Sequence, residues 1–506
     1  MEPTPKLFSK VLPAVRTLSR GSWVVAGLLV VLLLALGGRY GFHRDELYFI
    51  EGGHHLDWAQ PDNPMTVPLL AAAWHDLVGG SLLGFRVVPA LVAGGTVLLA
   101  AWTSQLVGGK PVHQTVTAAL MASTSILLAT GHLFSTTTFD LALTTATVAL
   151  LIKAIAAPAS LSTWLALGIT AGLAMEIKIL PALVLASCAI AILIIGNRTV
   201  FRRAGPWLAA AVALLLAAPN LIWQTAHGWL MAQIAENIAA GGSTSSQERW
   251  LVVPLHLLMA GPAAAIVLII GLVAPFRLTA LRPYRWLPVA YVIMLVLVLA
   301  TGGKPYYLAG FFAAGLALGA QPVVTFLSGA LWRWVAAVVL GVILVVPTVV
   351  FALPIAPVGS PVFQVAVAVN PDQAETVGWD KWVRTVERAS RTLDPNSSIV
   401  LARNYGEAGA LSRERRLRPT SAVPPVYSGH NAYGEWGPPP EMATSAVVVG
   451  DFSTSEVETW FAECTLVERF ASPPGVDNEE NGAPIRVCQK RMLPWSEIWP
   501  QVRRLG

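Results

Sequence analysis

Apolar runs of about 17 to 25 residues recur along positions 22–352, separated by short polar or Pro- and Gly-containing breaks. As helix, a run of that length crosses roughly 30 Å of hydrocarbon. The pattern predicts about eleven membrane spans, near residues 22–38, 83–106, 112–131, 138–156, 163–176, 179–196, 205–224, 251–275, 286–301, 306–320 and 332–353. The first run follows Lys6, Lys10, Arg16 and Arg20, as a signal peptide would, but no Ala-x-Ala cleavage site follows it. It reads as a retained helix with a cytoplasmic basic flank. The loop at 197–204 then carries Arg198, Arg202 and Arg203 on the cytoplasmic side, as the positive-inside bias demands. The segments at 39–82, 132–137, 177–178, 225–250 and 302–305 fall on the opposite face, together with everything after about residue 356.

Two breaks are more than turns. Segment 39–82 contains aromatic-rich apolar stretches at 46–58 and 68–78, too short to span and suited to helices lying in the membrane interface. Segment 225–250 ends in Gly241-Gly242-Ser243-Thr244-Ser245-Ser246, the composition of a mobile gate. From residue 371 the pattern turns soluble. Trp379, Trp382, Val383 and Val386 share one helical face, and Ser398–Ala402 and 446–449 read as short buried strands. The division expected is a transmembrane domain at 1–355, with its first outer loop at 39–82, and a small extracytoplasmic α/β domain at 356–506.

Composition agrees. Hydrophobic residues are 55% of the 506 and charged residues only 12%, with a mean hydropathy of +0.60. Such a chain needs lipid as its solvent. The net charge of +5 follows from basic cytoplasmic loops and implies no nucleic-acid partner. Three cysteines are too few for a disulfide scaffold or a Cys-ligated zinc centre. Cys188 sits in an apolar run, whereas Cys464 and Cys488 lie in the polar C-terminal region and can pair in an oxidising compartment.

The chemistry concentrates after the first span, in His43-Arg44-Asp45-Glu46. Two acids there stand where membrane and an aqueous cavity meet, suited to joining a lipid-carried group to a polar acceptor; solvation at headgroup level is the plainer reading. His54, His55, Asp57 and Asp62 follow, but without His-x-x-x-His spacing on one helical face. No Walker loop, Rossmann glycine pattern or Gly-x-Ser-x-Gly elbow occurs, so nucleotide-driven transport and serine hydrolysis lose support.

Phe42-His43-Arg44-Asp45-Glu46-Leu47-Tyr48-Phe49, followed by His55, Trp58 and Pro61-Asp62-Asn63-Pro64, resembles the first-loop signature of the bacterial dolichyl-phosphate-mannose protein mannosyltransferase-like family, a group of GT-C glycosyltransferases. The lipid A aminoarabinose transferase and the protein O-mannosyltransferases are its relatives. Gly303-Lys304-Pro305-Tyr306-Tyr307, Asn404-Tyr405-Gly406-Glu407-Ala408-Gly409-Ala410 and Ser428-Gly429-His430-Asn431 resemble the family as well. One departure is Asn63-Pro64-Met65, where members often carry His-Pro-Pro.

The resemblance implies a GT-C-like polytopic fold and an enzyme of the plasma (inner) membrane. That enzyme moves a sugar from a polyprenyl-phosphate donor to a glycan, glycolipid or exported protein at the outer face, with inversion. Asp45 becomes the catalytic base and Glu46 its partner, although neighbours on a helix point about 100° apart and one of the two can be structural. The leaving lipid phosphate needs cations, for which Lys178, Lys304 and Arg249 are candidates with Tyr306 and Tyr307 beside them; snorkelling to the interface explains the cations equally. Asp140 matches a second acidic position and is suited to a metal, a sugar hydroxyl or Lys178, or simply to the helix dipole. His55, Asp62, Tyr405, Glu407, His430 and Asn431 are acceptor-side candidates, the last four in expected loops at 405–410 and 427–436. A divalent metal is possible but not required. A lipid or glycan transporter or flippase, and a non-catalytic membrane scaffold, are the alternatives.

Overall fold

A computed structural model of the chain describes residues 17–241 and 246–506. Lys6, Lys10, Arg16 and residues 242–245 of the expected gate lie outside the described residues. The chain divides into two compact units.

The first unit comprises Met1–Ala35, Val87–Leu221 and Ser245–Ala352, and its described elements are helices. Every predicted apolar run in it falls on a helix or on a pair of helices joined at a bend. Among the described residues, five helices are long and apolar enough to cross a membrane, Thr136–Ala156 and Leu331–Ala352 included; the number rises to seven if each of two bent pairs is one span. The expected eleven is therefore not reached by length and composition. Arg20–Leu36, Leu161–Met175, Leu180–Ile195 and Trp286–Thr301 are shorter apolar helices. At 1.5 Å per residue they fall short of the hydrocarbon thickness, a shortfall that an apolar run misreads when it includes non-helical flanks.

The bends have local causes. Pro111–Ala122 and Ser125–His132 meet at 63°, and Arg249–Ala260 and Pro262–Arg277 at 109°. At the second bend, Gly261 takes φ 78° directly before Pro262, which has no N–H to continue the ladder. Polar side chains within the helices turn back on their own backbone: Thr96, Thr103 and Thr147 each donate to the carbonyl four residues earlier. Small residues let backbones approach. A Cβ on Gly271 would lie 1.9 Å from the Gly315 carbonyl, so Pro262–Arg277 and Phe312–Leu327 touch at glycine. Leu331–Ala352 is only 11% buried, an apolar surface that needs lipid.

The second unit comprises Leu36–Arg86, Ile222–Thr244 and Leu353–Gly506. Its five-stranded sheet is built of β1 (Ser398–Ala402), β2 (Val426–Ser428), β3 (Ser445–Val449), β4 (Phe461–Arg469) and β5 (Pro484–Arg491), in the order β2-β1-β3-β5-β4. β2, β1 and β3 run parallel, and β5 and β4 close one side antiparallel. Ile399, Leu401, Val448, Trp460, Trp495 and Ile498 form its core. The helix Trp379–Ser390 buries Trp379, Trp382, Val383 and Val386, the face read from the sequence.

Two local expectations are corrected. The stretch at 46–58 does not make an interfacial helix: the helix Arg44–Gly52 is buried on almost every side, Ile50 completely, because protein rather than headgroups surrounds it. The segment at 405–410 is not a loop but the start of the helix Tyr405–Leu417, which a capping box of Asn404 and Glu407 opens.

Candidate active site

His43 fixes the start of the helix Arg44–Gly52. Its Nδ1 accepts the Asp45 N–H at 3.1 Å, and Glu46 Oε2 accepts the His43 N–H at 2.8 Å. The two acids then part. Glu46 is completely buried and meets Arg86, with Nε at 3.3 Å from one oxygen and Nη2 at 3.0 Å from the other. Arg86 also donates to the carbonyls of Gly37 and Gly41. Glu46 is thus a tie inside the second unit. Asp45 stays half-buried, and one of its oxygens accepts the Tyr405 hydroxyl at 2.9 Å.

Glycines bring Tyr405 to that position. A Cβ on Gly409 would lie 2.9 Å from the Leu47 carbonyl, and one on Gly406 would lie 2.8 Å from Arg44 Cβ. The helices Tyr405–Leu417 and Arg44–Gly52 therefore pack backbone against backbone. Burial, then the nearby Asp45 charge, raises the Tyr405 phenol, which stays protonated and keeps donating.

A second carboxylate belongs to the same network. Tyr48 donates to Asp62 Oδ1 at 2.8 Å, its oxygen accepts the Ala432 N–H at 3.2 Å, and Asn431 Nδ2 donates to Asp62 Oδ2 at 3.3 Å. Asn431 holds φ 49°, a strained backbone for a residue with a side chain. Burial pushes Asp62 up to about 6, and Asp45 adds to the shift. The Tyr48 and Tyr405 rings lie 4.6 Å apart, with the His430 ring 4.7 Å from Tyr405. His430 Nδ1 accepts from Arg504 at 3.2 Å; burial and that guanidinium drive its imidazole well down, so it is neutral. Arg44 lies over the Tyr405 ring and pairs with Glu375 and Glu479. Glu407 faces inward, pushed up to about 7 by burial.

In the first unit, Lys178 occupies the break between Leu161–Met175 and Leu180–Ile195. Its ammonium donates to Thr137 at 2.7 Å and lies 4.7 Å from the centre of the Tyr306 ring. Asp140, one helical turn after Thr136 and 5% exposed, accepts from Thr144 at 3.1 Å and feels the Lys178 charge. Tyr306 and Tyr307 meet edge to face. Lys304 precedes the 3₁₀ turn Pro305–Phe311, half-buried. Arg249 is exposed in the turn Arg249–Leu251. The structure thus gathers Lys178, Asp140 and Tyr306.

Among the described residues no group of three or more His, Cys, Asp or Glu side chains is placed to hold a metal ion. His54 is 3.7 Å from Asp76, and His55 is 3.4 Å from Glu51 while stacking on Trp436. Cys464 and Cys488 face each other on β4 and β5 and form a disulfide; Cys188 is free and buried. Arg86, Thr137, Thr144 and Arg504 carry no motif of their own in the sequence; the partners of Arg86, Thr137 and Arg504 lie too far along the chain for spacing to show the pairing, whereas Thr144 stands one helical turn after Asp140.

The family model for dolichyl-phosphate-mannose-protein mannosyltransferase matches residues 62–223. Over that segment the chain is similar to dolichyl-phosphate-mannose-protein mannosyltransferase. ArnT from Cupriavidus metallidurans in the apo state superposes with a TM-score of 0.60 at 12% identity, over 92% of this chain and 97% of ArnT. ArnT bound to undecaprenyl phosphate gives a TM-score of 0.56 at 14% identity, over 93% and 98% of the two chains. The Archaeoglobus fulgidus oligosaccharyltransferase complex with Zn and sulfate gives 0.52 at 13% identity, over 84% of this chain and 67% of that one. At these identities the likeness is one of fold. No curated protein sequence matches the chain.

Proposed function

We propose that this protein is an inverting glycosyltransferase that moves a sugar from a polyprenyl-phosphate donor to a cell-envelope glycan, glycolipid or exported protein at the outer face of the plasma membrane. Asp45 takes the proton of the acceptor hydroxyl as that oxygen bonds to the anomeric carbon. The bond from carbon to the phosphate oxygen breaks with its electron pair, and the polyprenyl phosphate leaves with one more negative charge. Lys178 is assigned to that developing charge, with Lys304 and Arg249 as further cationic contacts and Tyr306 and Tyr307 beside them. Asp140 holds the register of Lys178. Glu46 positions Asp45 through the capping box and Arg86, and Tyr405 orients the Asp45 carboxylate. Asp62, His430, Asn431 and His55 belong to the acceptor side, and Glu407 supports the helix that carries Tyr405.

The observation that carries this reading is the state of Asp45. Its carboxylate is half-open, one oxygen is held by Tyr405, and the other has no protein hydrogen bond among the described residues. A base needs an accessible lone pair in a fixed orientation. The fold shared with ArnT and the match over residues 62–223 support the donor class.

The test incubates purified protein with radiolabelled polyprenyl-phosphate sugars and membrane acceptors, comparing wild type with Asp45→Asn. Asparagine keeps the oxygen that accepts from Tyr405 but cannot take a proton. Transfer should fall by about 10²- to 10⁴-fold with an unchanged melting temperature. Equal turnover by both proteins would sink the mechanism.

A further inference from the structure

A cavity of about 290 Å³ lies within the second unit, lined by residues 55–57 and 59–61, Trp223, Ala432, Glu435 and Trp436. It is at the small end of roughly 300–1,000 Å³ for small-molecule sites, which suits one ring and its substituents. The His55 and Trp436 rings stack face to face at 3.8 Å and 4°, and both line the cavity. Two further lining residues carry buried N–H donors, Gln60 Nε2 and Trp223 Nε1, with no hydrogen-bond partner among the described residues. Burying such a donor is unfavourable unless something accepts a hydrogen bond from it. Acceptors are present as well: Asp57, which bonds the Trp58 N–H, and Glu435, which pairs with Arg503. Among the described residues no Lys or Arg lines the cavity, and its two carboxylates disfavour an anion.

Aromatic rings, unmet donors and carboxylate acceptors around a one-ring volume are the chemistry of a carbohydrate. Ring C–H groups pack against aromatic rings, while hydroxyls both give and take hydrogen bonds. We propose that this cavity is a binding subsite for a neutral saccharide ring. Taken with the transferase reading, on which this part rests, it holds a sugar of the acceptor. Ala432 lines the cavity and donates its N–H to Tyr48, which bonds Asp62, so the subsite adjoins the network that contains Asp45.

The full-length protein in detergent micelles is titrated with methyl glycosides of a hexose, an N-acetylhexosamine and a pentose, followed by tryptophan fluorescence and saturation-transfer NMR. At least one glycoside should bind wild type and Asp45→Asn equally. Trp436→Ala should weaken it about tenfold or more and Gln60→Leu several-fold, with Trp436→Phe intermediate and the melting temperatures preserved. Inorganic phosphate should not compete. Absence of glycoside binding by wild type, undiminished binding by Trp436→Ala, or Trp436-dependent binding of phosphate in preference to glycosides would each overturn the subsite. Glycoside binding without any sugar transfer would retire the transferase reading and uphold the subsite, so the two failures are told apart.

Discussion

Asp45 and Glu46 are adjacent, yet they do unlike work because a helix turns about 100° between them. That divergence is legible in the sequence; the identity of the structural member is not, since Glu46 is settled by Arg86, forty residues further along the chain. Glu407 presents the opposite problem. Its motif invites an acceptor contact, but the side chain caps its own helix and sits 1% exposed near Arg44, Arg403 and Arg504. Burial raises it from 4.5 to about 7, and Glu375 and Glu480 also rise to about 7 chiefly by burial. A carboxyl raised on folding binds more protons in the native state, so stability is fully present below about 4.5 and is lost as pH climbs through about 7. The melting temperature of the protein should therefore fall between about pH 5 and about pH 8, by the equivalent of roughly 1–3 kcal/mol for Glu407. Glu407→Gln, which preserves the capping oxygen, should flatten part of that slope, with Glu375 and Glu480 supplying the rest. An identical slope in the variant would show that Glu407 does not titrate in this window.

Among the elements, the pairing of Arg44–Gly52 with Tyr405–Leu417 sets the Asp45 site, and it depends on Gly406 and Gly409 more than on any polar contact. Gly409→Val places two methyl groups where the Leu47 backbone already stands 2.9 Å from a Cβ. The helices must separate or the variant must unfold in part, at about 1–3 kcal/mol for overpacking. Separation breaks the bond from Tyr405 to Asp45, so transfer should drop by at least tenfold in the fraction that still melts cooperatively. Gly409→Ala should fall between wild type and Val. Full activity in Gly409→Val would show that the Tyr405 contact does not matter. Periodicity could not show this packing, because 405–410 is rich in Gly and Asn and reads as loop until the reciprocal bonds of Asn404 and Glu407 are seen. β1 and β3 were legible as short apolar runs, being buried on both faces. β4 was not: it is an outer strand, largely exposed, and its Glu463, Thr465, Glu468 and Arg469 hide the alternation.

At the scale of the molecule, hydropathy located every described α-helix of the first unit, since only lipid accommodates a surface such as that of Leu331–Ala352. Length and composition mark five to seven of the eleven expected runs as spans, because two runs bend at Gly261-Pro262 and near Ser123 and four others fall on shorter helices. The sidedness proposed here, with 197–204 cytoplasmic and the C-terminal region extracytoplasmic, rests on basic-residue bias and on a cross-strand disulfide that an oxidising compartment maintains. The chain's own cysteines make the test clean: Cys188 is buried and Cys464 is bonded to Cys488, so an impermeant maleimide has little background. Thr199 and Ser455 are both exposed. In intact cells whose outer barrier admits the reagent, Ser455→Cys should label at once, whereas Thr199→Cys should label only after the plasma membrane is permeabilised. The reverse pattern would place the Asp45 unit in the cytoplasm, where a reducing pool opposes the disulfide and cytoplasmic acceptors replace those of the envelope. Sidedness therefore decides between two acceptor pools before any sugar is identified.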